Sequence, residues 1–233
     1  MYPLSAPREF SPYGLSHWIV LAVFVAGAVL VVRLGRAHRN ARTAPLFSRI
    51  FGLSTLVLYV GVYLATAIPP TVDRSVPLRL TDLATLVAAY ALWSHRHWAY
   101  ALTYYWCLTL STQALISPAL ESPDFPHHHF LAFWAIHLIV VWAPIYLTWG
   151  TGMHPDWRSY RIAVATTAAW AAVTFTFNSL THTNYGFVNG KPETPSLLDV
   201  LGPWPWYLVT VAFLLITVWA LMTWPWARAT TPT

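Results

Sequence analysis

The chain has 233 residues, of which only 9% are charged and 57% hydrophobic, against about 25% charged in a typical soluble domain. A soluble fold of this size has too much surface for that balance. A soluble enzyme, a disordered chain and a nucleic-acid-binding domain are therefore excluded, despite a net charge of +5.

The composition instead points to an all-α, polytopic membrane helix bundle forming one integral membrane domain over residues 1–233. A spanning helix needs about 20 mostly apolar residues, because hydrocarbon offers the backbone no hydrogen bonds. Seven transmembrane helices are predicted. Span 1 is Ser16–Val32 and span 2 is Phe51–Ile68. Span 3, Pro77–Trp93, is the weakest, because Arg79 and Asp82 sit in its first turns; a six-span arrangement with a re-entrant third segment stays open. Span 4 is Trp98–Ile116, and span 5 is Phe130–Trp149 with a kink expected at Pro144. Span 6 is Ile162–Leu180 and span 7 is Trp206–Trp224. No signal-peptide pattern precedes span 1, since Glu9 and Pro12 interrupt it.

Lys and Arg concentrate on the cytoplasmic side of membranes. With the N-terminus outside, Arg33, Arg36, Arg39, Arg42, Arg49, Arg96, Arg158, Arg161 and Arg228 fall inside, and Arg8, Arg74, Arg79 and Lys191 outside. That bias predicts an N-out, C-in topology. Trp93, Trp98, Trp149, Trp157, Trp204, Trp206, Trp224 and Trp226 lie near span ends and read as an interfacial belt.

The polar residues then gather on the outer side. Arg79, Thr81 and Asp82 open span 3, Gln113 ends span 4, and His127, His128 and His129 precede span 5. His137 lies two turns into span 5, and Asn178 closes span 6. Intramembrane ionisable groups are costly and usually mark function. His137, flanked by Phe133, Trp134, Ile136 and Leu138, is either a histidine that glues helices together or a general base. As a base it needs a hydroxyl to activate, and Thr81 is predicted at a similar depth. The two would meet in a shallow dry pocket beneath the outer face. A threonine opening a helix is otherwise a cap or a back-bonded hydroxyl. Arg79 and Asp82 would tune the site. In the loop 181–203, Asn184, Asn189 and Lys191 are candidates to hold a phosphate or carbonyl oxygen, against the plainer reading of a tight outer loop.

The three consecutive histidines cannot converge on one ion from a regular element, so they read as a cap on span 5 rather than a metal site. The single cysteine, Cys107, excludes an intrachain disulfide and Cys-based zinc or iron–sulfur sites. The sole lysine, Lys191, lies in a loop, which excludes a retinal Schiff base in the last span. Only His137 is expected to lie deep, which argues against a haem held between facing helices. Nothing calls for a cofactor.

Four segments carry a resemblance: VPLRLTDLATL (76–86), WCLTLSTQALISP (106–118), FPHHHFLAFWAIHLIVV (125–141) and TNYGFVNGKPETPSLLDVLGPWPWY (183–207). Together they resemble the YwaF-type bacterial integral membrane family. That family is similar to the animal membrane acyltransferase that builds ether phospholipids, and more distantly to the androgen-induced intramembrane threonine hydrolases. The resemblance implies a nucleophile at the start of span 3 and a histidine in span 5. Acyltransferase-like members usually carry Cys in a pattern close to L-P-L-H-x-C. Here Thr81 takes that place and Arg79 stands where His is common, which argues against a thioester and fits the Thr–His hydrolases.

The expected function is thus a lipid acyltransferase or ester hydrolase in the plasma membrane, acting on membrane lipids or an acyl lipid reaching it from the outer leaflet. Thr81 would be the nucleophile and His137 the base. Gln113, Asn178 or Asn184 would hold the oxyanion, and Arg79 or Lys191 a phosphate. The alternative is a non-enzymatic small-solute transporter or lipid-binding protein. The sequence leaves the oligomeric state open.

Overall fold

The computed structural model describes residues 9–39, 44–73, 75–118, 120–192 and 197–229. Arg8, Arg42 and Arg74, and the Thr194–Pro195 turn with Ser196, lie outside them. Seven helical rods run back and forth through the described residues. The first three are α1 (Leu15–His38), α2 (Ala44–Thr66) and α3 (Leu80–Ser94). The fourth rod joins α4 (His97–Trp106), a π-helical turn (Cys107–Ser111) and α5 (Gln113–Ile116). The fifth is α6 (His128–Ile145), which runs into a second π turn, Tyr146–Gly150. The last two are α7 (Trp157–Thr181) and α8 (Trp206–Ala229). Among the described residues no strand forms; one isolated bridge pairs Glu9 with Pro123.

Each predicted span falls on one rod. Four segments are long and apolar enough to cross a membrane: Leu15–Ala37, Leu46–Thr66, His128–Gly150 and Trp206–Arg228. α3 is shorter, with 15 residues, or about 22 Å at the helical rise against a hydrocarbon core of about 30 Å. It starts at Leu80, three residues later than hydropathy suggests, because the chain is still extended at Arg79 (φ −64°, ψ 135°). The kink expected at Pro144 is absorbed by the π turn that begins two residues later. Proline has no N–H for the helical ladder, and such widened turns are a common outcome of a broken ladder.

Hydrogen bonds between rods fix two ends. At the loop end, Tyr13 Oη donates to the Ile116 carbonyl (2.5 Å) and the Phe10 N–H to the Ser122 carbonyl (3.0 Å). At the arginine end, Arg36 Nε reaches the Trp149 carbonyl (3.2 Å) and Arg39 Nη2 the Gly150 carbonyl (2.9 Å). These cations cap the carbonyls that a helix end leaves without partners. At the same end Asp156 caps α7 in a capping box with Ser159, and His97 Nε2 lies 3.3 Å from its carboxylate. Burial pushes the Asp156 carboxyl up, but the bonds from Ser159 and the nearby His97 outweigh it and hold it below its ordinary value.

α3 and the fourth rod form the centre. Ala84, Ala88, Ala91, Leu92, Tyr100, Tyr105 and Cys107 are fully buried there. Small residues let the backbones approach, and polar atoms tie rods together where there is no hydrophobic drive between helices in lipid. Trp106 Nε1 donates to Thr167 Oγ1 (2.9 Å), and Tyr105 Oη meets Thr223 Oγ1 (2.6 Å). α1 and α8 leave Val25, Leu30, Phe213 and Leu221 exposed, faces suited to hydrocarbon. α1 crosses the second π turn backbone on backbone: a Cβ on Gly35 would lie 2.6 Å from Gly150 Cα.

His17, expected near a span end, is fully buried and stacks on Trp134 at 5.3 Å. Its Nδ1 accepts from the Tyr13 N–H (2.9 Å), so Nε2 carries the proton it shares with the Leu115 carbonyl (3.0 Å). The sequence hides this role because the partner carbonyl is 98 residues away.

Candidate functional site

At the loop end a cavity of about 550 Å³ opens between α2, α3, the first π turn and α6. Its lining follows helical periodicity. α2 supplies Tyr59, Val62, Tyr63 and Thr66, and α3 supplies Thr81, Asp82 and Thr85, with Arg79 just ahead of it. α6 supplies His129, Ala132, Phe133, Ile136, His137 and Val140. Ser111 enters from the π turn, and Leu120 and Glu121 from the segment before α6. The side toward the loops carries Arg79, Asp82, Glu121 and His129, and apart from its two histidines the α6 wall is apolar: Ala132, Phe133, Ile136 and Val140. The cavity is therefore amphipathic.

The structure brings Arg79, Thr81, Asp82 and His137 to this one cavity. His137 Nδ1 lies 2.6 Å from the Phe133 carbonyl. A carbonyl only accepts, so Nδ1 carries the proton and Nε2 keeps a free lone pair, the form a general base needs. Thr81 is exposed, so the cavity is an open vestibule and not the dry pocket expected from the sequence. The Thr81 hydroxyl makes no side-chain hydrogen bond to His137 here. Its carbonyl accepts from Thr85 Oγ1 (2.8 Å), which braces the first turn of α3. Asp82 sits in that turn, where the helix dipole favours an anion. It faces the buried Tyr59 hydroxyl, which approaches it without reaching hydrogen-bond geometry.

The other predicted site residues lie elsewhere. Gln113 is exposed and does not line the cavity. Asn178, Asn184, Asn189 and Lys191 form the inner bracing of the loop after α7. Asn178 is 1% exposed; its Nδ2 donates to the Tyr185 carbonyl (3.0 Å) and Asn189 Oδ1 (2.9 Å). Its Oδ1 accepts from Thr183 Oγ1 and the Tyr185 N–H, both at 2.9 Å. Asn184 Nδ2 donates to the Gly190 carbonyl (2.9 Å), and Lys191 Nζ pairs with Asp199 at 3.6 Å. None of the four lines the cavity that holds Thr81 and His137.

The loop nonetheless acts on the cavity at one remove. Tyr185 Oη donates to the Val72 carbonyl (2.8 Å) and accepts from the Val76 N–H (3.1 Å), and Trp170 Nε1 donates to the Leu78 carbonyl (2.9 Å). These bonds hold the extended segment that delivers Arg79 and Thr81. Asn178→Ala strands the buried polar atoms of Tyr185. It is expected to cost about 2–4 kcal/mol, given about 1–3 for each orphaned group. A lowered melting temperature with proteolysis beginning in the 183–192 loop is the expected observation; an unchanged melting curve would show the network to be dispensable.

His127 caps α6 by accepting from the His129 N–H, and of the three histidines only His129 lines the cavity. Their rings stack at 4.2–5.3 Å rather than converging, and no group of three metal-ligating side chains meets among the described residues. Tyr59, Tyr63, Thr66, Thr85, Ser111 and Glu121 are additions the sequence reading missed as cavity residues. For α2 a signal existed, since residues 59, 63 and 66 fall on one stripe of an otherwise apolar helix.

Comparison with known proteins comes to one result. Residues 12–223 match the model of the TMEM164 family, a family of membrane proteins. No curated protein and no solved structure gives a significant match.

Proposed function

The chain belongs to the TMEM164 family, and on that premise we propose that it is a multi-pass enzyme of the cell membrane acting on lipid esters. All seven rods cross the bilayer in this reading, with the N-terminus outside and the arginine end in the cytoplasm. The similarity to YwaF-type proteins, to the ether-phospholipid acyltransferase and to the threonine hydrolases belongs to the same reading. One observation carries it: Thr81 and His137, from different rods, line the same amphipathic cavity. The polar rim suits a headgroup, and the apolar residues of the α6 wall, Ala132, Phe133, Ile136 and Val140, suit an acyl chain.

The chemistry runs in two steps. Thr81 Oγ1 attacks the acyl carbonyl carbon while His137 Nε2 takes its proton. The ester C–O bond breaks, and the proton passes from His137 to the leaving alkoxide. Water (hydrolysis) or an acceptor lipid's hydroxyl (transfer) then attacks the acyl-threonine and gives its proton to His137. The acyl group departs with the incoming oxygen, and the proton returns to Thr81. Threonine is a weak nucleophile, so its hydroxyl must come within about 3 Å of the base once substrate fills the cavity. Arg79 and Glu121, with no ion-pair partner among the described residues, face the polar end of the ligand.

Transport is the second reading, and the packing opposes it. Inward of the cavity Ala88, Leu92, Tyr100, Cys107 and Leu147 are all at 0% exposure, and such close packing favours a site that opens to one side only. The deciding experiment treats the purified protein with a fluorophosphonate probe and maps the adduct by mass spectrometry. An adduct on Thr81 is expected. No adduct, or one confined to residues away from the cavity, removes the enzymatic reading.

A further inference from the structure

The hydroxyls on these helices share a habit. Thr55, Thr85, Thr103, Thr109 and Thr112 each donate to the carbonyl four residues back, at 2.5–2.9 Å. Ser111 departs from it. It is only 3% exposed, yet its hydroxyl makes no side-chain hydrogen bond to any described residue. It lines the cavity that also holds Thr81 and His137.

Ser111 is the last residue of the π turn Cys107–Ser111. Thr109, in the same turn, keeps its bond to the carbonyl four residues back, whereas the Ser111 hydroxyl is left to the cavity it lines. π turns are frequent at functional sites.

We propose that Ser111 is a catalytic residue: the donor that holds the acyl carbonyl oxygen, and the oxyanion formed from it, while Thr81 attacks. The proposal rests on the lipid-ester reading above and fills the role for which Gln113, Asn178 and Asn184, which do not line the cavity, are not placed. Thr81, His137 and Ser111 come from three separate rods and line one cavity. No bond changes hands at Ser111; its O–H donates as negative charge builds on the oxygen.

The test measures the rate of fluorophosphonate labelling at Thr81, since attack at phosphorus builds the same charge on an adjacent oxygen. Ser111→Ala is expected to slow labelling by about 100- to 1,000-fold with the adduct still on Thr81. Its melting temperature should stay at the wild-type value, because no hydrogen bond is lost. Ser111→Thr, which keeps the hydroxyl, should label within about tenfold of wild type, and the isosteric Ser111→Val should match Ser111→Ala. The Thr and Val pair carries the comparison if the alanine variant does not fold. Wild-type rates in Ser111→Ala or Ser111→Val, with the adduct on Thr81, overturn the donor role and leave the Thr–His reading standing. An adduct on Ser111 itself makes it the nucleophile and overturns both. If wild-type protein takes no label, the two readings fall together.

Discussion

Replacing His137 with alanine is expected to lower turnover of a lipid ester by about 100- to 10,000-fold, the range that a positioned general base contributes. Three features of the site set that expectation. The ring is fixed by the Phe133 carbonyl at 2.6 Å, so the tautomer with a free Nε2 is already in place. The residue lines the cavity together with Thr81. Nδ1 bonds within its own helix, so its removal breaks no hydrogen bond between rods, and the melting temperature should hold. His137→Gln is the informative partner, because it keeps a polar side chain but cannot take a proton; it should be as inactive as the alanine variant. Thr81→Ala should lose at least as much, and the double variant little more than either single one, since groups acting as a unit are not additive. Turnover that survives in all four variants would leave the cavity as a binding site without chemistry.

Gly35→Ala is expected to be strongly damaging for a single methyl group. The added carbon would sit 2.6 Å from Gly150 Cα and 2.9 Å from its carbonyl carbon. Both are backbone atoms and cannot swing aside. Overpacking of this kind costs about 1–3 kcal/mol, or a fall of roughly 2–12 °C in melting temperature for a chain of this length. Separating α1 from the π turn also pulls Arg39 from the Gly150 carbonyl, a bond of 2.9 Å, and exposes the end of the fifth rod. Gly61→Ala is the matched control, because nothing lies within 4 Å of a Cβ there. Equal melting temperatures for the two variants would mean that the crossing is not tight in the membrane protein.

The all-α character and the four long apolar helices were legible because hydrocarbon leaves a long apolar stretch no other stable form. Arg79, Thr81, Asp82 and His137 were legible for the complementary reason: each is polar where the pattern is not. What the sequence could not show was how polar atoms pair with one another. Asn178, Asn184, Asn189 and Lys191 look like ligands in a linear reading. In three dimensions the asparagines bond one another and the Tyr185 backbone, and Lys191 pairs with Asp199; through Tyr185 the loop braces the segment that begins α3. The reverse error hid Ser111. A serine in an apolar helix looks back-bonded, and only the folded chain shows that it is not. Tyr59 and Tyr63 required knowing which face of α2 meets α3, a matter of packing rather than of period alone.

The shortness of α3 bears on where a substrate meets the protein. On the proposed seven-span reading, α3 is about 8 Å shorter than the hydrocarbon it would cross, and the bilayer would pucker toward it at a cost that grows with every ångström of mismatch. In the proposed orientation that dimple would lie over Arg79 and Thr81. Water and headgroups would be drawn down to the depth where ester linkages sit, and a lipid would be met at the hydroxyl without being lifted out of its leaflet. The host membrane's thickness would thereby become part of the machinery, setting how far the dimple reaches and how readily a lipid is presented.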